Sequence, residues 1–314
     1  MSSNPFPRPW NRLDLHDPAG CALLKNEYFP LSNAPAVPGY PGLGGNVVLI
    51  AGRERIGGKS VLSHKILHEY GQGNPDGINF YPVDITIADK EEKKKAIDDD
   101  RYCLRRAVKE ANRRNLIGED EAESIGREES WRDMSESFRE ALGNDAVIMR
   151  MPKSDESLTP KAIADYVAYY AGSARVLGRS CYLYEYSYVD DREWQDLRDS
   201  LDRARLENLR PIEARPLLVD DAMRFIEGRI ARCGRDPGII DTDRTRMFLE
   251  GKTVAGTAGL DIDIGGVGHV MHLAFQQSEN GGNEGLLHTY IVENYTRYMA
   301  WRNFPPDGGA GGGP

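Results

Sequence analysis

The segment Gly52 to Ser60 (GRERIGGKS) combines the groups needed to hold a chain of phosphates. Glycines let backbone amides curl around phosphate oxygens without a Cβ in the way. A lysine at position 59 can reach the β- and γ-phosphates, and the Ser60 hydroxyl can complete the shell of a Mg²⁺ ion. The residues expected to touch nucleotide are Gly52, Arg53, Arg55, Gly57, Gly58, Lys59, Ser60 and Val61, with Ser60 the metal ligand. The spacing departs from the usual G-x-x-x-x-G-K-[ST]. Five positions before Gly58 stands Arg53, and Gly52 lies one residue too early, so the loop carries an extra residue or a substituted first glycine. Arg53 and Arg55 are placed to contact phosphate, a neighbouring subunit or solvent.

Hydrolysis needs more than a binding loop. A carboxylate must hold the metal through water, and another group must orient the attacking water. The third strand of such a sheet ends where that acid is expected, and here it reads AVIMRMPKSDE with Arg150 at the tip. Glu185, within the fourth strand (YLYEY), is the leading substitute as catalytic acid, and Asp84 at the end of the second strand is another. Strand carboxylates are also commonly paired with nearby basic groups.

The elements that would position these residues alternate. Residues 46–50 (NVVLI) are a short, β-branched, apolar run, the pattern of a strand buried on both faces. An amphipathic helix follows over residues 60–70, ended by Gly71. Further strands are expected over 78–87, 146–149, 181–188 and 211–219, with Pro82 assigning the second to a sheet edge. Helices are expected over 89–115, 129–142, 160–173 and 192–207. Strand and helix alternating in this way imply a five-stranded, mainly parallel α/β sheet flanked by helices. After residue 219 the pattern becomes helical, over 220–233, 245–255, 266–276 and 286–301. The domain boundaries follow: an extended Pro/Gly-rich segment over 1–45, a nucleotide-binding core over 46–219, a helical domain over 220–303 and a Gly-rich tail over 304–314. The aromatics of the leading segment (Trp10, Tyr28, Phe29, Tyr40) need a surface to lie against, on this chain or on a partner.

Composition narrows the field. The chain has 314 residues, 40% hydrophobic and 28% charged, as expected of a globular protein. A net charge of −9 repels nucleic acid and acidic membranes, so neither is an expected partner. Four scattered cysteines without a CxxC pair exclude a zinc knuckle and suit a reducing cytoplasm. The amino-terminal residues lack the apolar stretch of a signal peptide, and no apolar run approaches membrane-spanning length. His64 with His68, and His269 with His272, share helix faces without an evident third ligand.

The loop and strand pattern, followed by PIEARPLLVDDAMRFIEGRI, resembles the AAA+ and STAND-type P-loop ATPases. IGGVGHVMHLAF is similar to the lid helix that follows a Gly-Gly turn in those proteins. The resemblance implies a five-stranded core with a smaller helical lid, ATP and Mg²⁺ as ligands, and protein partners or self-assembly. Lys59 and Ser60 match its phosphate and metal positions. The third strand has no matching acid, and the lid arginine that senses the γ-phosphate falls near His269. Two functions follow: an ATPase whose turnover drives conformational change, or a non-hydrolysing nucleotide-bound scaffold. A small-molecule kinase shares the loop but needs lid arginines not found here.

Overall fold

The computed structural model describes residues 4–6, 44–54, 58–72, 80–84, 101–151, 159–214, 216–254, 259–281 and 284–303. Arg55, Gly57, the aromatics of residues 10–40, residues 89–100 of the charged run and the tail from 304 lie outside them.

Five parallel strands form one sheet: β1 (Val47–Arg53), β2 (Phe80–Asp84), β3 (Ala146–Arg150), β4 (Cys181–Tyr188) and β5 (Leu209–Glu213), in the order β2-β3-β4-β1-β5. The apolar β1 occupies an interior position, buried from Val47 to Gly52, as a run without alternation demands. Pro82 lies in β2, which pairs with β3 alone at the edge, where the missing backbone donor is least costly.

Helices connect the strands: α1 (Lys59–Gln72), α2 (Tyr102–Arg113), α3 (Glu119–Gly126), α4 (Trp131–Leu142), α5 (Pro160–Leu177) and α6 (Asp191–Ala204). Their starts are written in the sequence. Ser130, Thr159 and Asp190 cap α4, α5 and α6 by accepting backbone N–H bonds from Arg132, Ala162 and Glu193. The short α3 was not expected; its lone buried residue, Ile125, leaves no periodic apolar pattern to detect. The fifth strand runs over Leu209–Glu213 and not 211–219, because Leu218 already leads into the next helix, α7 (Val219–Arg232).

Side-chain parity divides β4 between the two faces of the sheet. Tyr182, Tyr184, Tyr186 and Tyr188 join the large cluster containing Phe138, Tyr170 and Trp194. The polar atoms of this face are largely paired: Ser173 Oγ meets Tyr182 Oη at 2.8 Å and Ser135 Oγ at 2.9 Å, and Tyr170 donates to Tyr166 at 3.0 Å. Glu185 has the opposite parity and takes its place on the other face.

These elements make one compact unit, residues 44–54 and 59–214 among those described. Asn4–Phe6, Gly58 and the described residues from 216 onward make a second. The latter is helical: α7, α8 (Thr242–Glu250), α9 (Ile264–Gly281) and α10 (Leu287–Asn303). Its core includes Phe225, Ile226, Met271, Phe275 and Tyr295. No described helix is long and apolar enough to cross a membrane.

Candidate nucleotide-binding site

The site lies at the carboxyl ends of β1 and β4, where parallel sheets present their ligand-binding crevices. Beyond Arg53 the chain leaves β1, and Glu54 still donates its N–H to the Tyr188 carbonyl at 2.8 Å. Gly58 has φ +54°, a left-handed backbone that glycine adopts freely, with nothing within 4 Å of where a Cβ would stand. Its requirement is therefore conformational. Lys59 then opens α1.

Lys59 is buried, with its stem lying over Gly52. A Cβ on Gly52 would meet Lys59 Cγ at 3.1 Å and Ala214 Cβ at 3.3 Å. The glycine that looks one residue early in the sequence thus has a packing role: it makes room for the lysine. The Lys59 ammonium donates to the Arg53 carbonyl at 2.7 Å and the Gly52 carbonyl at 3.3 Å. The ammonium is thereby held at the carboxyl end of β1.

Ser60 donates to Glu185 Oε2 at 3.0 Å. Glu185 is 2% exposed, and its other oxygen, Oε1, accepts from Arg150 Nε at 3.0 Å and Nη2 at 2.7 Å. Strand register explains the meeting. Arg150 pairs with Leu183, so Glu185 is two residues further along β4 on the same face, a diagonal neighbour within reach of a long side chain. The arginine that stands where an acid was expected is therefore paired with the leading substitute acid. Its placement could not be read from the sequence, because β3 and β4 become neighbours only through the strand order.

Other expected residues are placed differently. Arg53 donates to Asp191 Oδ1 at 2.9 Å, and that hydrogen bond raises its pKa above the usual arginine value. Val61 is half-buried in the first turn of α1. The β2 strand brings Asp84 into register with Arg150 by backbone pairing. No cluster of three His, Cys, Asp or Glu side chains suited to a metal occurs among the described residues, so His64 and His68 gain no third ligand there. His269 lies in α9 beside Tyr298, in the helical unit.

Two polar residues not singled out beforehand frame the β4 end. Tyr188 donates to Glu213 at 3.0 Å and Tyr186 to Glu193 at 2.7 Å. Burial first, and the acceptor carboxylates second, hold both phenols well above the ordinary tyrosine range, so both remain neutral donors at physiological pH. The alternating tyrosines of CYLYEYSY were the available signal.

The fold has counterparts among solved structures. The Aeropyrum pernix ORC2 protein in its ADPNP-ADP complexes aligns with TM-score 0.54 at 14% identity, over 93% of this chain and 72% of that one. The α/β fold is shared with that protein. The ADP form of the same protein gives 0.50 at 12% identity, over 79% of this chain and 62% of that one, so this chain spans less than two thirds of it. Cdc6p from Pyrobaculum aerophilum aligns at TM-score 0.44 and 14% identity, over 90% of this chain and 65% of that one. At these identities the likeness is one of fold. No protein-family model and no curated protein sequence matches the chain.

Proposed function

We propose that this protein binds a nucleoside triphosphate, ATP being the expected one, through Gly52–Ser60. The observation that carries this is the Lys59 ammonium held over the β1 carbonyls beside the Ser60–Glu185 pair, on a sheet shared with a protein solved with ADP. Phosphate oxygens would replace the Gly52 and Arg53 carbonyls as acceptors for Lys59, exchanging two neutral partners for charged ones. The amides opening α1, with the positive end of its dipole, add to the same field.

Ser60 and Glu185 supply hard oxygen donors, which suit Mg²⁺. That ion takes one or two protein ligands and fills the rest of its shell with phosphate oxygens and water. Ser60 would hold it directly and Glu185 from behind. The ion would neutralise phosphate charge. Arg53 and Arg55 remain further candidates for phosphate contact, the former by leaving Asp191.

The Arg150–Glu185 pair favours a non-hydrolysing protein over an ATPase. A general base must be free to orient water and accept a proton, and Glu185 instead spends one oxygen on a buried guanidinium and the other on Ser60. Nucleotide would then set the conformation of the chain, with the helical residues 220–303 as its lid and an assembly in the cytoplasm as the product. Calorimetry with ATP, ADP and GTP plus Mg²⁺, followed by phosphate release from the same samples, tests both levels. Binding without turnover is expected. Sustained turnover would restore the ATPase reading, and absence of binding to any of the three would remove the nucleotide reading altogether.

A further inference from the structure

The helical unit encloses three residues from the far end of the sequence. Phe6 is fully buried, its ring 5.6 Å from Phe275 and 6.0 Å from Phe225, centroid to centroid. The Arg229 guanidinium lies 5.7 Å over Phe6 and 5.2 Å over Phe225. Phe225 and Arg229 are one turn apart on α7, and His272 and Phe275 one turn apart on α9, so two helix faces make one pocket.

Apolar packing alone would describe a core residue. What distinguishes this segment is that its polar groups are matched one by one. The Asn4 amide donates to the His272 carbonyl at 3.0 Å. The Pro5 carbonyl accepts from Arg229 Nη1 at 3.5 Å. The Phe6 carbonyl accepts from His272 Nδ1. The segment is also shaped in advance: Phe6 N–H donates to Asn4 Oδ1 at 2.9 Å, an Asx turn, and Pro5 fixes its own φ. Little conformational freedom remains to be lost on docking.

We propose that the helical unit carries a peptide-binding site for the sequence Asn-Pro-Phe, and that the chain's own amino-terminal segment is the ligand filling it. Phe6 supplies the apolar anchor, Arg229 the cation over its ring, and Asn4 with the Pro5 and Phe6 carbonyls the sequence-reading polar contacts. Because the ligand is tethered, its effective concentration is far above that of a free peptide, so the site stays filled in the intact chain and opens only when the segment is withdrawn.

The test uses the full-length Phe6→Ala chain, which vacates the pocket, and a fluorescein-labelled decapeptide MSSNPFPRPW followed by anisotropy. Saturable binding is expected, at least tenfold weaker for peptides carrying N4A or F6A and at least tenfold weaker to the unsubstituted chain, whose own segment competes. Absence of saturable binding to a cooperatively folded variant would overturn the proposal, as would binding indifferent to the Asn and Phe changes. Should Phe6→Ala lose cooperative thermal unfolding, millimolar peptide is expected to restore it. Failure to restore it would show that Phe6 is an inseparable part of the core, and the proposal would fall.

Discussion

Lys59 and Arg150 are both buried cations, yet their substitution should have opposite signatures. Lys59 donates to the Gly52 and Arg53 carbonyls, and under the proposed function Lys59→Ala removes the group that would meet phosphate. ATP binding measured by calorimetry should fall below detection while the urea midpoint moves little. Arg150→Met leaves the buried Glu185 carboxylate without its guanidinium, a loss of about 3–5 kcal/mol. Changing both partners, Arg150→Met with Glu185→Leu, should cost less than Arg150→Met alone, and urea unfolding of the unsubstituted chain, both single variants and the double variant measures the coupling. Gly58→Ala isolates backbone from packing: with no neighbour to strike, it should cost about 1–2 kcal/mol for the left-handed conformation. The motif residues were legible because their roles depend on local chain order. The Arg150–Glu185 meeting was not, since nothing in AVIMRM or YLYEY says that those strands adjoin.

Among the elements, strands were read best where composition left no choice. The apolar β1 and the proline-bearing β2 occupy the interior and edge positions their residues demand. Ends were read less well. The charged run forms the helix Tyr102–Arg113 among the described residues, residues 89–100 lying outside them, and the fifth strand ends at Glu213, short of Val219, where a helix starts. Phe6 escaped notice altogether, because one aromatic among prolines has no periodicity, and its burial depends on helices more than two hundred residues away. The β4 strand makes an element-scale prediction about pH. Burial pushes the Cys181 thiol from about 9 up to about 12, and likewise holds Tyr166 and Tyr182 above their usual values. Groups whose pKa is raised by folding stabilise fully below the unfolded value, and that contribution is lost as pH rises through the folded one. The urea midpoint should therefore decline progressively between pH 9 and pH 12. At neutral pH, a thiol reagent should label Cys233 at once, and Cys103 and Cys181 only on unfolding, as mass mapping of the labelled peptides would show.

For the whole molecule the measurable consequence is linkage. A ligand that binds only the folded state at a hundred times its Kd adds about 2.7 kcal/mol. For a unit the size of the α/β core, that raises Tm by roughly 5–10 °C. Scanning calorimetry with ATP and Mg²⁺ should show this rise in the unsubstituted chain and not in Lys59→Ala. A peptide filling the Asn-Pro-Phe pocket of Phe6→Ala should raise Tm without nucleotide, which separates the two sites thermodynamically.

Trp194 rests flat against Tyr188, ring centroids 5.6 Å apart and 10° from parallel, and the Tyr188 carbonyl accepts the Glu54 N–H just beyond β1. An indole stacked on a neutral phenol, one hydrogen bond from the end of β1, is a native fluorophore beside the proposed phosphate-binding segment. Its emission should register occupancy of the loop with no label attached, and Trp194→Phe supplies the blank against which the signal is assigned.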